Sequence, residues 1–352
     1  MELFGRKWTR RDFEARVGRL EQVAGVRKFA HREGPESGVE QIQIRTGAGL
    51  SYYVTPSRCL DVGLTEFAGV PVSWQSANGE VDPRAFCSAG TNWLRTAAGG
   101  LFMTCGFTQV GSPCNDNGQD LGLHGLAHHL PARQVVAEGR WNNEIYEMRV
   151  AGVVEETEIF GQHIRLTREI KSFLGENRIL LNDSIQNLAF EPTPFMLLYH
   201  FNFGFPLMSE QTQIQFPSKR VLPRESSTPT DGFDSWQSPE PSYKERVYYH
   251  EDLELDERGR TKVVVRNPAF PMADGKVAQP LSVILSWDTK TLPRLVQWKM
   301  PGAGVHVLGI EPANCYVEGR KVHRERKTLE YLQPGETQEF TLELQVEITK
   351  TK

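Results

Sequence analysis

The stretch Asn143–Leu188, NEIYEMRVAGVVEETEIFGQHIRLTREIKSFLGENRILLNDSIQNL, decides the fold class. Apolar and polar residues alternate along most of it, which is typical of strands with one buried and one exposed face. Gly152, Gly161 and Gly175 lie at or near the expected turns, where glycine is favoured. The pattern predicts three successive antiparallel strands, over 143–155, 157–171 and 178–188.

The alternation continues on both sides of this stretch. It is clearest in Glu336–Thr349, where Phe340, Leu342, Leu344 and Val346 fall on one face with Ile348. Further strands are expected at 41–45, 50–55, 71–75, 195–203, 245–249, 261–266, 281–287, 295–300 and 305–310. Many short strands with almost no helix predict an all-β sandwich of antiparallel sheets. No repeat or shift of composition marks a boundary, so residues 1–352 are predicted to form one domain.

The N-terminal residues 1–25 have a different period. Thr9 is a candidate N-cap, and Phe13, Val17, Leu20 and Val23 repeat at helical spacing. We expect one short amphipathic helix that ends near Gly25 and packs on the body of the fold or on a second copy of the chain. The segment begins with early charges and has no apolar core, so a secretory signal is not expected here.

Composition excludes several classes of protein. The 352 residues are 39% hydrophobic and 24% charged, with a formal net charge of −4 and no basic block, so a nucleic-acid partner is not expected. No apolar run approaches the roughly 20 residues of a membrane span. The five cysteines form no CxxC pair. They are interpreted as reduced thiols of a cytoplasmic protein.

The first candidate for chemistry is His124 in the Gly-rich stretch Gly99–Pro131, GGLFMTCGFTQVGSPCNDNGQDLGLHGLAHHLP. Gly122 and Gly125 flank the histidine and allow a ligand to approach closely. A histidine in such a loop can transfer protons to a polar ligand the size of a sugar.

Two further ionisable residues lie where apolar strands leave the core. His200 interrupts the strand LLYHFNFG, and Glu311 ends the strand LGIEPAN. Partly buried groups of this kind can form an acid–base pair. The alternatives are a hydrogen-bonded core histidine and a solvated or salt-bridged glutamate.

Together these motifs resemble the aldose 1-epimerase (galactose mutarotase-like) superfamily, in particular its epimerase-like DUF4432 branch. The resemblance covers about residues 42–348. The family's Leu-His-Gly segment is matched at 123–125, and its His-x-Tyr-Phe-Asn segment is similar to the sequence from His200. The motifs that carry the resemblance are Arg58-Cys-Leu-Asp61-Val, Gly99-Gly-Leu-Phe-Met-Thr-Cys-Gly106, Leu123-His-Gly125, His200-Phe-Asn202 and Gly309-Ile-Glu-Pro-Ala-Asn314.

The resemblance implies a supersandwich of two large twisted sheets with a sugar cleft on one of them. It also implies a mechanism that needs no cofactor. Glu311 would act as the general base on the anomeric hydroxyl, His200 as the general acid on the ring oxygen, and His124 would polarise the same region.

Other residues are predicted to contact the substrate. Arg58 and Asp61 are expected either to form a local ion pair or to bind the ligand. Trp298 is a platform for a sugar ring or a core tryptophan. Asp252 and Arg95 are expected to bind substrate groups, and Asn314 to orient Glu311.

A metal site is not expected. His124, His128 and His129 are close in sequence, and His250 has carboxylates beside it. However, Gly125 and a proline bracket the first three as a loop, and no carboxylate has the spacing of a ligand.

The sequence therefore predicts a cytoplasmic, cofactor-free aldose 1-epimerase. Two alternatives remain open: an isomerase or epimerase of a keto-sugar or sugar acid on the same fold, and a non-catalytic sugar-binding protein. The segment Gln211–Pro241 is rich in Pro, Ser and Thr and is expected to form a long surface loop that covers the site.

Overall fold

The computed structural model describes residues 1–275 and 277–348 and consists mainly of antiparallel strands. It has two short α-helices, α1 (Arg10–Glu14) and α2 (Arg320–Glu325), and short 3₁₀ turns, among them Asn92–Arg95 and Ala127–His129. The strands are β1 (Glu2–Leu3), β2 (Arg6–Lys7), β3 (Gly25–Ala30), β4 (Glu40–Arg45), β5 (Leu50–Thr55), β6 (Asp61–Phe67), β7 (Val70–Pro71), β8 (Trp74–Gln75), β9 (Gly99–Gly100), β10 (Phe102–Phe107), β11 (Cys114–Asp116), β12 (Gln119–Leu121), β13 (Arg133–Asn142), β14 (Ile145–Thr157), β15 (His163–Phe173), β16 (Arg178–Asn187), β17 (Thr193–Phe203), β18 (Gln213–Gln215), β19 (Ser218–Pro223), β20 (Arg246–Leu253), β21 (Arg260–Phe270), β22 (Gln279–Asp288), β23 (Arg294–Met300), β24 (Val307–Ala313), β25 (Glu330–Leu332) and β26 (Thr337–Ile348).

Two large sheets form the body of the protein. One has the order β19-β20-β23-β24-β17-β10-β6-β5-β4-β3, with β25 added to β17 and β7 to β6. The other has the order β13-β14-β15-β16-β26-β22-β21-β18. The all-β prediction is confirmed, and the alternation in the sequence explains it. Along β15 and β16, buried and partly exposed side chains alternate at nearly every step, as a sheet with one covered face requires.

The main hydrophobic core lies between the two sheets. From the longer sheet it includes Tyr199, Phe201 and Ile310, and from the other Leu166 and Phe340. Burial of this apolar surface holds the sheets face to face.

The longer sheet also carries a second, smaller apolar cluster. Met103 of β10, Leu198 of β17 and Val296 of β23 belong to it, together with Trp93 and Val110 from loops. Because successive side chains of a strand point to opposite faces, this cluster lies on the face turned away from the main core. Loops therefore cover the outer face of this sheet, and the candidate site lies beneath them.

The N-terminal helix is shorter than predicted. Its N-cap is confirmed, since Thr9 Oγ1 accepts a hydrogen bond from the backbone N–H of Asp12 at 3.1 Å. The helix ends at Glu14, and Leu20–Gln22 forms a separate 3₁₀ turn. Gly18 lies inside the predicted helix, where glycine is unfavourable for helix formation. No helix in residues 1–275 and 277–348 is long and apolar enough to cross a membrane.

The segment Gln211–Pro241 is not one loop, so that prediction is wrong in part. It contains β18, which pairs with β21, and β19, which pairs with β20 at the edge of the longer sheet. The last predicted strand, Glu336–Thr349, is confirmed over Thr337–Ile348. Glu336 precedes the strand, and Thr349 lies outside the described residues. The assignment of the whole chain to one domain stays a prediction.

Candidate active site

His200 and Glu311 lie side by side on neighbouring strands. β17 and β24 pair antiparallel with Leu198 opposite Ala313 and Phe201 opposite Ile310, and this register places His200 opposite Glu311. Both side chains are buried, and His200 Nε2 lies 3.3 Å from Glu311 Oε1. The sheet thus brings together two groups that are 111 positions apart in the chain.

His124 approaches the same pair from a loop. Its backbone is left-handed, with φ +56°, and its N–H donates to the carbonyl of Gly111 at 3.0 Å. The next residue must be glycine, because a Cβ at Gly125 would lie 2.4 Å from the carbonyl oxygen of Gln109. The His124 ring lies edge-on to the His200 ring, with centroids 6.0 Å apart.

The three side chains line one cavity of about 370 Å³. Three tryptophans, Trp74, Trp93 and Trp298, form part of its wall. The Trp298 ring is edge-on to His200 at a centroid distance of 5.5 Å, and its Nε1–H donates to Glu245 at 2.9 Å. Trp298 therefore lies at the cavity. The sequence had left two roles open for it, a platform for a sugar ring and a core tryptophan. The volume is at the lower end of the range for small-molecule sites.

Gly309 keeps the space beside the acid–base pair open. A Cβ at this position would lie 2.7 Å from Glu311 Oε1 and 3.2 Å from His200 Cε1. Both contacts are shorter than real Cβ atoms normally make. The positions of Glu311 and His200 therefore require a residue without a Cβ at Gly309.

Burial determines the protonation of the three groups. It lowers the pKa of His200 to about 4 and that of His124 to about 3, because their charged forms are desolvated. The same desolvation raises the pKa of Glu311 well above its usual value. These shifts favour the state in which Glu311 keeps its proton and His200 is neutral, with the two groups 3.3 Å apart.

Two charged residues at the cavity were not predicted from the sequence as ligands. Arg224 and Glu245 both line it, and Arg224 Nη2 lies 3.2 Å from Glu245 Oε1 and 3.0 Å from Glu225. The Glu245 charge raises the pKa of Glu311, and the Arg224 charge lowers it. Glu245 stands at the start of a predicted strand and Arg224 in a predicted loop, so no motif marked either of them.

Arg58 and Asp61 are buried away from the cavity, and neither lines it. His128 lies between them. Arg58 Nη1 donates to His128 Nε2 at 3.1 Å, which leaves Nδ1–H of the same ring to donate to Asp61 at 2.7 Å. Asp61 also accepts from Arg168 of the other sheet at 2.8 Å. The predicted ligand contact is wrong for this cavity, because Arg58 binds His128 and the backbone carbonyl of Val81, while Asp61 joins the two sheets through Arg168.

The predictions for Arg95, Asp252 and Asn314 are also corrected. Arg95 is exposed and is not among the lining residues. Asp252 lies in a separate hollow near Arg220, and its side chain is 64% exposed. Asn314 does not reach Glu311. Its Oδ1 accepts from the backbone N–H of Leu197 at 2.7 Å, so it fixes β17 instead.

The histidines outside the cavity have other partners. His129 Nε2 lies 2.8 Å from Thr96 Oγ1. His250 lies 2.7 Å from Ser218 through Nδ1 and 3.1 Å from Gln297 through Nε2. Among residues 1–275 and 277–348, no three His, Cys, Asp or Glu side chains are placed to hold a metal ion.

Comparison with solved structures defines the class of protein. A "putative aldose 1-epimerase" from Klebsiella pneumoniae superposes with a TM-score of 0.80 at 25% identity, over 91% of this chain and 83% of that chain. A galactose mutarotase-like protein from Clostridium acetobutylicum gives a TM-score of 0.60 at 13% identity, over 93% of this chain and 100% of that chain. Galactose 1-epimerase from Lactobacillus acidophilus gives 0.59 at 12%, with the same coverage. The fold is the galactose mutarotase-like supersandwich.

The family follows from the sequence. A family model described as "Domain of unknown function (DUF4432)" matches residues 36–346, and the chain belongs to this family. No curated protein matches the chain. The resemblance inferred from the motifs is confirmed, while the catalytic roles of the residues stay predictions.

Proposed function

We propose that the protein is an isomerase of the aldose 1-epimerase type, which interconverts the anomers of a free sugar. The observation that carries this proposal is the buried pair of His200 and Glu311, 3.3 Å apart, facing His124 in one cavity. The cavity suits one sugar unit. The named neighbours agree with the proposal, but they supply only the fold and a class of activity.

The reaction needs one proton in the pair. Ring opening begins with Glu311 as the carboxylate and His200 as the imidazolium. Glu311 takes the proton of the anomeric hydroxyl while His200 donates to the ring oxygen, the C1–O bond of the ring breaks, and an aldehyde forms. Rotation about C1–C2 and the reverse transfers close the ring with the other configuration.

The proton count of the pair is the same throughout. After ring opening, Glu311 is protonated and His200 is neutral, which is the state that burial favours in the empty cavity. A transfer of the proton from Glu311 to His200 is therefore needed when a sugar binds, and ring closure then returns both protons to their starting positions. His124 stays neutral at working pH and serves as a hydrogen-bonding partner near the ring oxygen. The Trp298 ring supplies an apolar face for the sugar's C–H groups.

The substitution Glu311→Gln tests the proposal. It keeps the size of the side chain and removes the base, so anomer exchange should fall by about 10²–10⁴-fold. The measurement is NMR saturation transfer between the α and β anomers of a panel of aldoses. Glu156→Gln is the matched control, because Glu156 is an equally buried carboxyl group outside the cavity that accepts from Thr108 at 2.8 Å.

The outcomes separate the alternatives. Exchange that survives in Glu311→Gln contradicts the proposed mechanism. A sugar that binds without exchange supports a binding protein, and conversion of a sugar into a constitutional isomer supports the keto-sugar or sugar-acid reaction.

A further inference from the structure

Trp93 carries an unused hydrogen-bond donor at the cavity. It lies in the 3₁₀ turn Asn92–Arg95, lines the cavity and is only 5% exposed. Its Nε1–H is buried and has no hydrogen-bond partner among the described residues. A buried N–H without a partner is unfavourable, and in native proteins such a group is normally satisfied by water or a ligand.

The other two cavity tryptophans differ in this respect. The N–H of Trp298 is already bound to Glu245, and Trp74 is only half-buried. A position that required only an apolar wall would be filled equally well by phenylalanine. The indole N–H of Trp93 therefore calls for an explanation other than packing.

The ring of Trp93 is held rigidly. Three histidine rings surround it, with centroids at 5.0 Å for His124, 5.8 Å for His128 and 6.1 Å for His129. His128 is itself fixed by hydrogen bonds on both ring nitrogens. The backbone carbonyl of Trp93 accepts from Ala97 at 3.0 Å. Such a donor is preorganised, because its orientation is set before a ligand enters.

We propose that Trp93 is a substrate-binding residue whose indole N–H donates a hydrogen bond to a hydroxyl or ring oxygen of the bound sugar. An indole N–H can only donate, so its partner must be an acceptor. Contact with His124 places the Trp93 ring on the His124 side of the cavity. The identity of the ligand as a sugar rests on the proposed function, whereas the free donor does not.

The first test uses the unmodified protein. Its tryptophans are labelled with ¹⁵N in the indole ring, and the protein is titrated with D-galactose, D-glucose, L-arabinose and D-xylose. The Trp93 signal, assigned by its contacts to the His124 ring, should move downfield. The Trp287 signal should stay in place, since its N–H donates to Leu292 at 3.1 Å far from the cavity.

The second test is kinetic. Trp93→Phe keeps an aromatic ring and removes the donor, so KM should rise about fivefold with kcat nearly unchanged, as expected for a ground-state hydrogen bond. The wild type should bind a deoxy sugar that lacks the contacted hydroxyl more weakly than the parent sugar. Trp93→Phe should bind the deoxy sugar and the parent sugar equally well. Trp287→Phe, a core change, should lower stability and leave KM unchanged.

The outcomes distinguish this inference from the proposed function. Anomer exchange with an unmoved Trp93 signal overturns the inference alone. A shifted Trp93 signal without exchange supports the contact and contradicts the epimerase. If no sugar of the panel moves any cavity tryptophan and none is exchanged, both are overturned.

Discussion

The imidazole of His200 and the carboxyl group of Glu311 lie 3.3 Å apart because the register of β17 and β24 sets them opposite each other. Neither group is near its usual pKa, since burial lowers that of His200 to about 4 and raises that of Glu311. Each charged form is therefore disfavoured alone, and a charge on one is supported by the opposite charge on the other. The predictions below follow from this relationship and from its surroundings.

The pH dependence of kcat/KM should report on the shared proton. Activity should fall below about pH 4, where His200 and Glu311 both become protonated, and at alkaline pH, where the proton is lost. Glu245→Gln removes a negative charge that raises the pKa of Glu311, so the alkaline limb should move to lower pH. Arg224→Gln removes a positive charge and should move it to higher pH. Polarimetric rates from about pH 3 to about pH 10 measure both limbs, and shifts of the alkaline limb in the same direction for the two variants contradict the assignment.

Gly309→Ala should disable the pair without unfolding the sheet. The new Cβ would lie 2.7 Å from Glu311 Oε1 and 2.8 Å from Trp298 Cβ, and Gly309 has no left-handed backbone that would add strain. A displacement of a reacting group by about 1 Å costs on the order of 100-fold in rate, so kcat should fall by about that factor. Gly18→Ala is the control, because a Cβ there meets no atom within 4 Å. Equal kcat for the two variants would rule out the tight placement of Glu311.

His250 should make the protein less stable in acid. Burial lowers its folded-state pKa to about 4, against about 6.5 in the unfolded chain. Between these values the unfolded chain binds a proton that the folded protein does not, so the free energy of unfolding falls as the pH falls. His250→Gln should reduce the loss between about pH 7 and about pH 5 by about 2 kcal/mol.

Urea unfolding of the wild type and of His250→Gln at both pH values measures this difference. The pKa of Glu311 is raised, so this group raises the free energy of unfolding as the pH falls. Glu311 is present in both proteins, and its contribution therefore cancels when they are compared. The same acid-dependent loss in both proteins would contradict the role of His250.

Asp61→Asn should destabilise the protein strongly. Asp61 accepts from His128 at 2.7 Å, from Arg168 at 2.8 Å and from the Thr104 backbone at 2.8 Å, all of them buried. Removing one partner of a buried ion pair costs about 3–5 kcal/mol. Asp252→Asn changes an exposed carboxylate and should cost less than about 0.5 kcal/mol. Denaturant midpoints give both values, and a substrate-binding role for Asp252 would instead appear as a higher KM at unchanged stability.

Much of the fold could be predicted from periodicity. Leu50–Thr55 is a strand with its predicted bounds, and the predicted strands at 178–188 and 295–300 differ from the observed ones by one residue. These strands alternate because each has one buried face. The predicted N-terminal helix extended too far, across Gly18. The strands β18 and β19 were missed, since β18 has only three residues and β19 has no buried face to give it a period.

The sequence predicted some residues of the candidate site correctly and others wrongly, and the difference has a physical reason. His124, His200 and Glu311 interrupt apolar or glycine-rich sequence, where an ionisable group is costly and therefore conspicuous. Arg95, Asp252 and Asn314 were chosen for their residue type and position along the chain. Neither of these tells which way a side chain points.

The sequence by itself determined that this chain forms antiparallel sheets, and its motifs pointed to the DUF4432 family. Local alternation and turn residues suffice for this, because each strand's buried face is encoded in its own residues. Only the tertiary structure decided that Arg224, Glu245 and Trp93 line the cavity of the acid–base pair, while Arg58 binds His128 and Asp61 joins the two sheets through Arg168. Strand register and loop paths set these contacts, and they depend on packing between segments that are distant in the chain.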